Sequence, residues 1–202
     1  MIATELEKNF GKNTPILLDE IKRLFSQYST VYLFQLLRDC IAKGELVRYD
    51  DSVYFVPKQS IFGEPIISTD EVVYKKYIKT GNEVQGTLIG WSFLNRVGAT
   101  TQVPNVIEIA TNKESMRVRT VTIGNRKFIL RKPRVEIDKD NEKIVSLMET
   151  ATWFEFGQDS TEALIDYAKQ NKITVKDILV YAEYYPAQTL KNMTGVLYGL
   201  AS

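Results

Sequence analysis

Apolar positions follow a helical period from residue 16 and change to alternation by residue 46. Ile16, Leu17, Leu18, Ile21, Leu24 and Phe25 lie near one helical face. Thr14-Pro15 precedes them, an N-cap type followed by proline at the first helical position, so a helix is predicted from there. After the short loop Ser26-Gln27-Tyr28, Ser29 or Thr30 caps a second helix. Its core stripe is Leu33, Leu36, Leu37, Cys40 and Ile41, and Gly44 ends it. Residues 46–49 and 52–56 alternate as two strands around Asp50-Asp51, and Pro57 closes the second. Upstream, Met1-Ile2-Ala3-Thr4-Glu5 begin an acidic-basic helix rather than a signal peptide. The order helix, helix, hairpin over residues 14–57 is the outline of a winged helix-turn-helix.

The rest of the chain predicts a second, mixed domain. Residues 59–69, with Gly63 and Pro65 and little periodicity, form a linker between domains 1–58 and 70–202. Residues 70–79 give a short helix with Val72, Val73 and Tyr77 inward, and residues 87–97 a helix ended by Gly98. Strands are predicted at 106–110, 116–123 and 126–131, the last two joined at Gly124-Asn125. Four helices follow. They run over 141–154, from Asp159 or Ser160 to Gln170, from Thr174, and from Tyr185-Pro186 through Leu190, Met193, Val196 and Leu197. The expected class is α+β: an N-terminal winged helix-turn-helix, then a mixed α/β domain with a helical tail.

Composition narrows the chemistry. The 202 residues are 44% hydrophobic and 25% charged, ordinary for a globular protein. No apolar run reaches the roughly 20 residues of a membrane span. There is no histidine and only one cysteine. That removes histidine bases, histidine-oriented nucleophiles and thiolate zinc sites. Acid pairs such as Asp138/Asp140 and Asp50/Asp51 lie in turn-like surroundings and read as solvated loop charges. No phosphate-cradling glycine loop is present. The expectation is a cytoplasmic protein that is not an enzyme and uses no cofactor and no metal.

Charge is distributed in blocks that the net value of +1 conceals. Residues 1–58 carry eight basic and eight acidic side chains, residues 113–134 eight basic against one acidic, and residues 135–202 six basic against eleven acidic. On the second helix Tyr32, Gln35, Arg38, Asp39 and Ala42 fall away from the core stripe. Glutamine and arginine read base edges, and hydroxyls hold phosphates. The candidate DNA-binding residues are therefore Ser29, Thr30, Tyr32, Gln35, Arg38 and Arg48; the alternative is an ordinary solvated face. The carboxylates Asp50 and Asp51 at the hairpin tip oppose a phosphate contact there. The second candidate patch is Arg117, Arg119, Arg126, Lys127, Arg131 and Lys132. It extends the DNA surface or receives an acidic partner, or else it is an edge hairpin paired with the acidic tail. The many tyrosines lack basic-aromatic interleaving of the RNA-recognition type and read as interface and core-edge residues.

The stretch 86–104, and within it Gly90, Leu94, Asn95, Gly98, Thr101, Gln102, Val103 and Pro104, resembles the AbiEi-type antitoxins of bacterial abortive-infection systems. The resemblance spans nearly the whole chain. It implies a two-part protein of the type IV toxin–antitoxin class. The N-terminal domain would bind inverted repeats in double-stranded operator DNA, with two copies or more on one site, and repress the operon. The C-terminal domain would counteract a nucleotidyltransferase-like toxin, with no stable antitoxin–toxin complex required. The acidic tip departs from the basic wing of that pattern. The competing class is a winged-helix regulator or interaction module whose C-terminal domain binds a ligand or partner.

Overall fold

The computed structural model describes residues 2–58 and 66–202, with only the backbone of Asp159. The chain is mixed α+β and divides into two compact units, Met1–Lys76 and Tyr77–Ser202.

In the first unit α1 (Ile2–Phe10) turns Ile2, Ala3 and Leu6 inward. It is followed by β1 (Ile16–Leu17), α2 (Leu18–Leu24), α3 (Thr30–Ala42), β2 (Val47–Arg48) and β3 (Val53–Phe55). The three strands form one antiparallel sheet in the order β1-β3-β2, with Ile16 opposite Tyr54 and Val47 opposite Phe55. The helix predicted from Thr14-Pro15 therefore begins three residues late. Ile16 and Leu17 pair with β3 first, and the Leu17 N–H donates to Glu20 Oε2 at 2.8 Å, half of a capping box that starts α2. Ser29 caps α3, its hydroxyl accepting from the Tyr32 N–H at 3.3 Å. Leu33, Leu37 and Cys40 of α3 join Leu6, Ile16, Ile21, Phe25 and Leu46 in the core.

Of the predicted linker 59–69, residues 59–65 lie outside the described residues, Gly63 and Pro65 among them. The helix expected over 70–79 is an α-helix, α4 (Thr69–Val73), continued by a π-helical turn, Tyr74–Ile78. The division between units falls inside that turn. Residues 70–76, expected with the second domain, are held to the first. The Tyr49 and Thr69 hydroxyls lie 2.8 Å apart, and Lys75 Nζ reaches Glu20 at 2.8 Å and the Pro15 carbonyl at 2.7 Å.

The second unit begins with a small hairpin, β4 (Lys79–Thr80) and β5 (Glu83–Val84). A four-stranded sheet follows, built from β6 (Gly86–Leu88), β7 (Ile107–Thr111), β8 (Val118–Ile123) and β9 (Arg126–Arg131) in the order β6-β7-β9-β8. Only β7 and β9 are parallel. The short helix α5 (Gly90–Arg96) connects β6 to β7 and stops before Gly98, whose φ of 76° suits a residue just past a helix end. Thr87 and Leu88, predicted as helix, are strand, because they pair with Ala110 and Ile109. The tail holds α6 (Glu142–Ala151), α7 (Gln158–Gln170), α8 (Val175–Tyr181), α9 (Ala187–Asn192) and α10 (Thr194–Ala201). A Thr174–Asp177 capping box opens α8. The single last helix that was predicted is thus two, joined at Met193. Ile89, Phe93, Leu94, Ala110, Val145, Met148, Leu164, Ile178 and Val196 belong to the core of this unit. Among the described residues no helix is long and apolar enough to cross a membrane.

Candidate nucleic-acid interface

Burying Leu33, Leu37 and Cys40 leaves the opposite side of α3 in solvent. Val31, Gln35, Arg38 and Ala42 are exposed there, as the helical period requires; Tyr32 is exposed at the flank of that side and Thr30 at the first turn of the helix. Ser29 is exposed at the N-cap, where its hydroxyl is already engaged by the Tyr32 amide. Arg38 is lightly tethered, with Nε 3.4 Å from the Phe34 carbonyl. Four of the predicted contact residues, Thr30, Tyr32, Gln35 and Arg38, therefore share one helix and stand in solvent. Tyr32 is edge-on to Tyr28 with ring centroids 5.5 Å apart, and Tyr28 stacks on Phe25 at 6.2 Å.

The hairpin tip is less acidic than its sequence. Asp51 Oδ1 takes a 2.6 Å ion pair from Arg48, whose Nε also donates to the Asp50 carbonyl at 3.1 Å. Asp50 accepts from the Ser52 amide at 2.7 Å and from Lys76 Nζ at 3.0 Å. Partial burial works to raise the Asp50 carboxyl, but the Ser52 N–H and the Lys76 ammonium outweigh it and hold it below its ordinary value. Arg48, a candidate DNA-binding residue in the sequence, is thus already engaged by its own hairpin.

In the second unit the basic hairpin divides by strand face. Arg119 lies opposite Leu130, and its Nε donates to Glu114 Oε2 at 2.7 Å, a carboxylate that is almost fully buried. Arg131 lies on the other face. There it donates through Nε and Nη2 to Glu108 Oε2 and covers the Trp153 ring at 4.8 Å. Arg126 lies over Phe128 at 5.7 Å. Arg117, Lys127 and Lys132 are exposed. The ion pairs that hold Arg119 and Arg131 run to Glu114 and Glu108, within the sheet region and not to the acidic tail.

The 90–104 block splits in two. Gly90 and Leu94 are buried, and Asn95 turns back toward the Thr100 carbonyl at 3.5 Å. Thr101, Gln102 and Val103 are exposed. Gly90 has a φ of 62°, a conformation that favours glycine, and a Cβ there would lie 2.8 Å from Glu108 Oε1, so any other residue would also displace that carboxylate. Beside it Trp91 packs edge-on to Phe154 at 5.2 Å. Trp91, Trp153 and Glu108 had no signal in the sequence, since 62 residues separate the two indoles. Among the described residues no group of three or more His, Cys, Asp or Glu side chains is placed to hold a metal ion.

Deeper in this unit Glu149 is buried. Its Oε1 accepts from the Arg134 amide at 2.9 Å and the Tyr185 hydroxyl at 3.2 Å. Burial pushes this carboxyl above its ordinary value despite those donors, and it pushes the Tyr185 phenol up as well.

No protein-family model matches the chain, and no curated protein matches it.

Proposed function

We propose that the chain is the antitoxin and autorepressor of a bacterial type IV toxin–antitoxin operon, and that its first unit is a winged helix-turn-helix. The observation that carries the DNA-binding part is the outward side of α3, where Gln35 and Arg38 stand exposed with Tyr32 at their flank and Thr30 at the start of the helix, on a helix anchored by Leu33 and Leu37. The element order α1-β1-α2-α3-β2-β3 and the sheet order β1-β3-β2 support the same reading. In it α3 enters the major groove, Gln35 and Arg38 read base edges, and the Ser29–Thr30 end approaches phosphate. The pairing of Asp50 with Lys76 and of Asp51 with Arg48 lowers the repulsion that the tip would present to DNA. Two copies or more occupy inverted repeats in the operator.

The second unit counteracts a nucleotidyltransferase-like toxin. Its support is the resemblance carried by Gly90, Leu94, Asn95, Gly98, Thr101, Gln102, Val103 and Pro104, of which the 101–103 segment is exposed. This reading makes the protein a cytoplasmic regulator and not an enzyme.

The test has two arms. In a gel shift with the chain's own upstream region, Gln35→Ala and Arg38→Ala should each weaken binding by about 1–3 kcal/mol. On co-expression with the neighbouring gene, the same full-length variants should lose repression and keep protection of growth. Unchanged affinity in both variants defeats the assignment of α3. A neighbouring gene without toxicity defeats the antitoxin reading.

A second reading has one observation in its favour. A groove of about 530 Å³ in the first unit is lined by Phe25, Tyr28, Tyr32, Leu36 and Cys40, so it shares Tyr32 with the exposed face of α3. That size lies within the roughly 300–1,000 Å³ of ligand pockets and fits a ligand-responsive winged-helix regulator.

A further inference from the structure

A second concavity lies in the Tyr77–Ser202 unit, and its chemistry differs from the groove beside α3. A cavity of about 260 Å³ is lined by Trp91, Gln102, Val103, Asn105, Glu108 and Ile129 among others. Trp91 is 41% exposed, and its contact with Phe154 fixes the indole. Glu108 is held but not saturated. Both Arg131 donors go to Oε2, at 3.2 and 3.1 Å, and Oε1 takes no hydrogen bond from any described residue. The amides of Gln102 and Asn105 each offer a donor and an acceptor.

We propose that this cavity binds one nucleobase bearing an exocyclic amino group, the base stacking on Trp91 and its amino group donating to Glu108 Oε1. The cavity is smaller than the roughly 300–1,000 Å³ of drug-sized ligand pockets and suits a single flat ring system. An aromatic face provides stacking that is indifferent to base identity. A carboxylate oxygen accepts from the amino group of adenine, cytosine or guanine; uracil in the same pose turns its O4 acceptor toward that oxygen, and its one ring donor, N3–H, is reached only by a shift of the base. The sheet register supplies the rest. Glu108 lies opposite Ile129, Ile129 opposite Thr120 and Lys127 opposite Thr122, so these side chains share one sheet face. Thr120, Thr122 and Lys127 are exposed, giving hydroxyls and a cation beside the cavity for a sugar-phosphate. On the other side of Ile129, Arg131 covers Trp153, a second exposed indole. The base belongs to a free nucleotide or to a single strand, and the recognising groups are the same for both. This site is independent of operator binding by α3.

The chain has two tryptophans, and both lie here. Full-length protein carrying Trp153→Phe keeps Trp91 as its one indole, so fluorescence then reports on the cavity alone. The probes are AMP, CMP and UMP, then short single-stranded oligoadenylate, oligocytidylate and oligouridylate, then duplex DNA. AMP or CMP, or the matching oligonucleotides, should quench Trp91 saturably, with the uridine probe weaker by about tenfold for the one hydrogen bond lost. Saturation by mononucleotides identifies a free nucleotide as ligand; saturation by oligonucleotides only identifies a strand. Calorimetry on Trp91→Ala in the otherwise unchanged chain should show binding weakened about tenfold or more, with part restored in Trp91→Phe. Glu108→Gln should erase the preference for amino bases over uracil. A Trp91 signal that responds to no probe overturns the proposal and leaves the patch as a protein contact. So does a response to duplex DNA alone, or single-strand binding that Trp91→Ala leaves intact.

Discussion

Lys76 Nζ lies 3.0 Å from Asp50 Oδ2 and ties the last residue of the first unit to the tip of its hairpin. Both side chains are about one quarter exposed, at 25% and 26%, so the pair contributes modestly, about 1 kcal/mol or less. Its larger effect is on charge. Burial opposes ionisation of Asp50, and the Ser52 amide and Lys76 win, so the folded carboxyl is stronger than the unfolded one. That stabilisation is complete above the ordinary carboxyl range and is lost as pH falls through the lowered value. Lys76→Met should raise the Asp50 pKa, read by carbon-detected NMR titration, and should weaken operator affinity at low salt. An Asp50 titration that does not move would show that Ser52 alone sets it.

Asp51 and Arg48 give a sharper test of the hairpin tip. Arg48 spends its guanidinium on Asp51 at 2.6 Å and on the Asp50 carbonyl at 3.1 Å. Asp51→Asn removes one negative charge and releases Arg48 toward phosphate. Operator binding should tighten, and the slope of log K against log salt should steepen by roughly 0.9, the value for one added phosphate contact. Unchanged affinity and slope would place the tip away from the DNA.

The elements legible in the sequence were those whose signals are local. The Ser29 cap, the Leu33–Leu37–Cys40 stripe, the Gly124-Asn125 turn and the Thr174 start of α8 each lie within a few residues of their cause. Strands β1 and β6 were not legible. They are two and three residues long, and Ile16-Leu17 and Thr87-Leu88 also fit the helical period of the residues after them. Only pairing with Val53 and Tyr54, or with Ile109 and Ala110, decides the matter. The same holds for the candidate sites. The exposed face of α3 follows from its period, whereas Lys76 beside Asp50 and Arg131 between Glu108 and Trp153 arise from tertiary contacts that a linear pattern does not carry.

Arginines of the basic hairpin should separate from its lysines. Lys127 and Lys132 are exposed. If duplex DNA crosses this surface, Lys127→Gln and Lys132→Gln should each flatten the salt slope by roughly 0.9 with no change in melting temperature. Arg119→Gln should act on stability instead. It strips a 2.7 Å donor from Glu114, whose side chain is 2% exposed, and should destabilise the unit by about 1–3 kcal/mol in denaturant unfolding. Equal effects of lysine and arginine variants on stability would make the whole hairpin structural.

Glu149 gives the second unit a pH response of its own. It is 3% exposed and joins the residue 134 backbone to the Tyr185 hydroxyl. Burial raises its carboxyl above the unfolded value, the opposite sign to Asp50. The folded state therefore holds this proton more tightly than the unfolded chain. Its contribution is fully present below the ordinary carboxyl range, declines as pH climbs from there through the raised value, and stays constant above it. Glu149→Gln keeps an acceptor for both donors and removes the buried charge. The variant should melt with the parent at about pH 4, where a typical glutamic acid is mostly protonated, and above it near neutrality. Glu149→Leu is the contrasting case. It leaves the Arg134 N–H and the Tyr185 O–H without their acceptor and should destabilise at every pH, by about 1–3 kcal/mol for each group left unpaired. If the glutamine variant melts below the parent near neutrality, the ionised carboxylate is net stabilising where it lies, and attraction to the neighbouring Arg134 and Arg131 charges outweighs its burial.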